Sequence, residues 1–75
     1  RLHAVTLAAG AKAIGRSLDA VGLDQIGVQA RAVRRPGAAR RLAPADAGIL
    51  KQGDIVVLLG VPEHLVSAEN RLLHG

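Results

Sequence analysis

The sequence predicts a small α+β fold of about four strands, with a β-hairpin and a C-terminal helix packed on the sheet. A continuous apolar run, Ile55 to Leu59, has the length and branched side chains of a central strand. Pro36-Gly37 divides two short β-favouring stretches in the way a hairpin turn does, Pro fixing φ at one central position and Gly supplying positive φ at the next. Beyond Pro62, apolar residues recur at three- and four-residue spacing as far as Leu73, which is the period of an amphipathic helix.

The first element is Leu2 to Leu7, L-H-A-V-T-L, a strand ended by the Gly- and Ala-rich A-A-G-A-K-A-I-G. Gly15 lets the chain turn into a short helix with Ser17 as N-cap and Asp19 in the first turn, where the helix dipole favours negative charge. Leu18, Val21 and Leu23 form its buried side, and Gly22 stops it. Val28 to Arg35 alternates, with Val28, Ala30 and Ala32 on one face and Gln29 and Arg31 on the other, until Val33 and Arg34 break the pattern. After the Pro36-Gly37 turn, Arg40-Arg41-Leu42-Ala43 forms the second arm of the hairpin, and Pro44-Ala45-Asp46 turns again. The run Ile55 to Leu59 is apolar at every position, so burial on both faces is expected. Pro62 suits the first turn of the last helix. Leu65, Ala68 and Leu72, with Val66, Glu69 and Leu73, give that helix its docking face, and His74 and Gly75 close it.

Seventy-five residues allow one domain, residues 1–75, with one core. The apolar fraction is 49% and contains no Phe, Trp, Tyr or Met, so Val, Leu, Ile and Ala must fill the interior. Such a core buries little area per residue, and a partner chain is expected to cover part of the apolar surface; a homodimer is the simplest case. With no cysteine there is no disulfide, thiol chemistry or cysteine-bound zinc. The chain opens on Arg1 and has no methionine, which leads us to expect a segment of a longer protein, and no apolar run approaches the roughly 20 residues of a membrane span.

The net charge of +4 is uneven. Arg31, Arg34, Arg35, Arg40 and Arg41 lie between Val28 and Ala43, where no acidic residue occurs. Three readings compete for this patch. It can be a solvated hairpin edge that discourages strand pairing. It can hold an anionic nucleotide, through bidentate guanidinium contacts with phosphate, or an acidic surface elsewhere in a longer parent chain, and Arg34, Arg35, Arg40 and Arg41 are the candidate residues. It can also contact nucleic acid phosphates as a small basic nucleic-acid-binding domain, although no aromatic is present to stack a base, and the preferred reading has no nucleic acid partner.

Other candidates carry less. Gly53-Asp54 reads as a structural turn whose carboxylate caps its own backbone. His3, His64 and His74 have no acidic or cysteine partner at metal-ligand spacing, so no metal site is assigned. Ser17 lacks a G-x-S-x-G elbow, and Gly10, Gly15 and Gly22 lack the spacing of a dinucleotide fingerprint. No catalytic residue emerges, and the chain reads as a non-enzyme without a resident cofactor.

The stretch from Val28 to Leu65 is the most specific part of the sequence. A strand ending in arginine (Arg34 or Arg35), then Pro44, Asp46, Leu50, Gly53-Asp54, the apolar strand, Gly60 and Pro62-Glu63 together resemble the C-terminal domain of regulators of potassium conductance, the TrkA-C domain. Upstream, the first strand and Ile14-Gly15-Arg16-Ser17-Leu18 resemble its opening strand and helix start, and Ala68 to Leu73 is most similar to copies in Kef-type potassium/proton antiporters. The resemblance implies a regulatory, ligand-sensing domain that pairs with itself. It would sit behind the nucleotide-binding and transmembrane domains of a parent transport protein, at the cytoplasmic face of the bacterial inner membrane. Its effector would be an anionic nucleotide such as cyclic di-AMP.

Overall fold

A computed structural model describes residues 1–75. Strand β1 (Leu2–Thr6) is followed by helix α1 (Leu18–Val21) and a 3₁₀ turn over Leu23–Ile26. Strand β2 (Gln29–Arg34), a second 3₁₀ turn over Pro44–Asp46, strand β3 (Ile55–Leu59) and helix α2 (Pro62–His74) complete the α+β chain. The sheet has three strands in the order β1-β3-β2, with β3 antiparallel to both neighbours.

The sheet therefore has one strand fewer than the sequence suggested. The returning arm Arg40–Ala43 pairs only at Leu42, which exchanges two backbone hydrogen bonds with Val33, 2.9 and 2.7 Å long. Ala38, Ala39, Arg40 and Arg41 have little apolar surface to bury in a ladder, and like charges along one hairpin repel, so Leu42 alone holds the arm. The turn itself forms as expected, closed by Ala38 N–H donating to the Arg35 carbonyl at 3.0 Å.

Ser17 accepts from Ala20 N–H at 3.2 Å and caps α1, while Gly22 ends it in the left-handed conformation at φ 75°, donating to the Leu18 carbonyl. Helix α2 lays Leu65, Ala68 and Leu72 on the sheet. Val66 is 72% exposed and faces away from the core, because the apolar stripe that docks is narrower than its sequence spacing suggested. Leu65, Ala68 and Leu72 share a single cluster with Val5, Val33, Val56 and Leu58 of the sheet and with Leu7, Leu23 and Leu50.

Strand β3 is central but not buried on both faces. Val56 and Leu58 are buried, whereas Ile55, Val57 and Leu59 are partly exposed on the opposite face, which no helix covers. Strand β2 explains the broken alternation: a register shift between Ala30 and Ala32 inserts Arg31 as an extra residue. Ala30 stays opposite Leu58, and Val33 returns to the core opposite Val56, while Ala32 lies opposite Val57 and Arg34 opposite Ile55. Ala32 thus leaves the face of Val28 and Ala30 and joins Arg31 on the uncovered side. The bulge is what allows Arg31 and Arg34, three positions apart, to share one face.

Candidate functional site

Where β2 ends, the chain turns at Pro36-Gly37, and the turn 51–54 leading into β3 comes alongside. At the junction Asp54 is fully buried. Its Oδ2 accepts from Lys51 N–H at 2.9 Å, which is the turn cap expected from the sequence. The carboxylate does more than cap: Arg35 Nε donates to Oδ1 at 3.0 Å and Nη2 to Oδ2 at 2.8 Å, a bidentate pair. Arg35 Nη2 also donates to the carbonyls of Ala47 at 2.9 Å and Ile49 at 3.3 Å. One guanidinium therefore ties the end of β2 to the 47–49 loop and the 51–54 turn.

Burial pushes the Asp54 carboxyl up, but the hydrogen bonds from Arg35 and from Lys51 N–H outweigh it and hold the group below its ordinary range. The hydrogen bond to Asp54 correspondingly raises the Arg35 guanidinium, against the opposing effect of burial. Gly53, at φ 89°, takes a backbone conformation that side chains rarely adopt, and a Cβ there would meet Pro36 Cγ at 3.1 Å. Gly53 thus lets this turn lie against the other one.

Around that junction Arg34, Arg35, Arg40 and Arg41 line one open cavity of about 340 Å³, with Gly53 and Ile55 at its base. All four arginines proposed from the sequence come together here. Their states differ: Arg35 is anchored to Asp54, whereas Arg34, Arg40 and Arg41 form no ion pair. No acidic residue lines the cavity, so its charge suits an anion. His3 lies far from it in the fold, with its Nε2 on Glu69 of α2, and His64 packs near Gly27. Sequence reasoning left open whether Arg34 or Arg35 ends the strand pattern; the partner of Asp54 is Arg35.

The chain that carries this arrangement matches the model of the TrkA-C domain over residues 2–73. The chain belongs to the TrkA-C domain family. No curated protein matches it individually. TrkA-C domains are generally regulatory parts of potassium transport proteins. No helix of this TrkA-C domain is long and apolar enough to cross a membrane. The Arg35–Asp54 pair was not foreseen, although both residues were singled out; their separation of 19 positions carries no periodic signal.

Proposed function

We propose that this chain is the ligand-sensing, self-pairing regulatory domain of a Kef-type cation:proton antiporter. In this reading it works at the cytoplasmic face of the bacterial inner membrane, behind the nucleotide-binding and transmembrane domains of its parent protein. The observation that carries the reading is the cavity at the end of β2, where four arginines surround about 340 Å³ and three of them have no counter-ion. A doubly charged nucleotide such as cyclic di-AMP supplies two phosphates for the guanidinium groups of Arg34, Arg40 and Arg41, which have no acidic partner in the fold. A homodimer follows from the aromatic-free core and from Val61 and Val66, 49% and 72% exposed, which a second copy would cover. An effector that binds one arrangement of two copies better than another biases the pair by that difference, and the bias reaches the gate through the parent chain.

Calorimetric titration with cyclic di-AMP tests the effector. Binding that is lost in Arg34→Gln/Arg40→Gln/Arg41→Gln supports the reading; no binding, or equal binding by the triple variant, sinks it. Sedimentation at roughly ten to a hundred micromolar tests the pairing, and a strictly monomeric species rejects it. Affinity for duplex DNA that falls steeply with salt would favour the nucleic-acid alternative instead.

A further inference from the structure

The uncovered face of the sheet holds a second concavity, of about 380 Å³. Its floor is apolar, made by Leu2 of β1 and by Val57 and Leu59 of β3, with Ala32 beside them. Arg31 and Arg41 complete the lining on the β2 side. Two other concavities that expose large apolar side chains carry acids: Glu69 beside Leu65 and Val66, and Asp19 and Asp24 beside Leu18 and Leu23. Here there is no acid, and neither arginine forms an ion pair.

A solvated edge would not need this arrangement. Leu42 covers the outer side of β2 only at Val33, and protection of the open edge can use the charge of Arg31 but does not account for the apolar residues on the neighbouring face. Antiparallel sheets with one solvated face ordinarily alternate apolar inside with polar outside, yet β3 presents Ile55, Val57 and Leu59 on the solvated side. The bulge sets the unpaired Arg31 next to the small Ala32, which itself lies opposite Val57. A cation is thereby held at the border of an apolar floor, with Arg41 reaching the same border from the returning arm.

We propose that this face is a second ligand site, for a small amphiphilic anion: its acidic head between Arg31 and Arg41, its apolar body on Leu2, Val57 and Leu59. The volume is at the lower end of ligand pockets and accommodates one short chain or one ring. The site goes beyond the arginine cavity at the end of β2 and shares only Arg41 with it. An inorganic anion would leave the floor wet, and a cationic amphiphile would meet two guanidinium groups, so head and body must both be present.

The test is amide chemical-shift titration of the chain with decanoate, against decyltrimethylammonium, inorganic phosphate and phosphatidylglycerol vesicles. Decanoate is expected to shift Leu2, Ala32, Val57 and Leu59 in a saturable way, while phosphate and decyltrimethylammonium leave them unmoved. Arg31→Gln should weaken decanoate about ten-fold, the loss of one charge-assisted contact, and Arg40→Gln, which lies in the other cavity, should not weaken it. Equal shifts with phosphate, equal binding of decyltrimethylammonium, or an unchanged affinity in Arg31→Gln would each overturn the proposal. Capture by vesicles without a response to free decanoate would assign the face to a bilayer surface and overturn it as well. Because Arg40→Gln is expected to weaken cyclic di-AMP and not decanoate, failure of one site is distinguishable from failure of the other.

Discussion

Arg35 and Arg40 are five residues apart in one basic segment, and they meet opposite fates. Arg35 has a side chain only 18% exposed, pairs twice with a fully buried carboxylate and donates to two loop carbonyls. Arg40 is exposed and has no acidic partner. The first is a piece of the architecture and the second is available to a ligand, although composition and spacing treat them alike. What separates them is a partner far away in sequence, which decides whether a guanidinium is spent within the fold or left facing water.

The largest effect expected from breaking this contrast is at Arg35. Arg35→Ala leaves the Asp54 carboxylate buried and without its counter-charge, and should cost about 3–5 kcal/mol in a denaturant melt. Asp54→Ala should cost less, because the arginine left behind is the partly exposed partner and can turn toward water. Replacing both, as Arg35→Met/Asp54→Leu, removes the charge together with its desolvation and is expected to recover much of the loss. If the double variant is no more stable than Arg35→Ala, the cost lies in the Ala47 and Ile49 carbonyl contacts and not in the ion pair.

Acid provides a second way to sharpen the comparison. The folded-state value of Asp54 is depressed, so its contribution is fully present above the ordinary aspartate value of about 3.9 and is lost as pH falls below that toward the folded value. Stability of the chain should therefore decline on acidification below about pH 4, and Asp54→Asn should remove part of that decline. Melts between pH 2 and 6, a range chosen to bracket the ordinary aspartate value, measure it. An Asp54→Asn variant with an unchanged acid slope would show that other carboxylates dominate.

The fold was legible where local chemistry decides it. Ser17, Asp19 and Gly22 mark α1 by capping alone, and Pro62 with Leu65, Ala68 and Leu72 marks α2 by period. The central place of β3 was legible from its unbroken apolar run, but its one-sided burial was not, because an apolar run does not record whether a second layer covers the sheet. The broken alternation at Val33-Arg34 was visible as an irregularity, and only pairing with β3 turns it into a bulge at Arg31. At the site, the clustering of arginines was readable from sequence, whereas the Arg35–Asp54 pair depends on two loops meeting and has no local signature. The weak second arm of the hairpin had the right turn but too little apolar surface beyond Leu42 to continue the ladder.

A smaller effect is expected at the helix cap. Ser17→Ala removes the acceptor of Ala20 N–H and should cost about 1 kcal/mol, while Ser17→Asp should retain most of the stability, since a carboxylate accepts the same bond and also suits the helix N-terminus. This compares a local polar contact with the long-range one at Asp54, and a cap variant costing more than Arg35→Ala would reverse their order.

The smallest intrinsic effect belongs to the exposed arginines. Arg34→Gln, Arg40→Gln and Arg41→Gln should each change stability by less than about 0.5 kcal/mol, since none has an acid to lose. The triple variant should even gain slightly in low salt, because three like charges around one cavity repel one another and screening weakens with falling ionic strength. The contrast with Arg35 then appears only when an anion is added. A ligand that binds the folded chain and not the unfolded one stabilises by RT ln(1 + [L]/Kd), so about 2.7 kcal/mol is expected when the ligand is at a hundred times its Kd. Thermal melts with and without cyclic di-AMP read this directly: the wild type should shift upward and the triple variant should not, although in its absence the triple variant melts with the wild type or slightly above it. Should the triple variant lose stability without any ligand, these arginines would be holding the fold as Arg35 does, and the division between structural and ligand-facing guanidinium groups would fail.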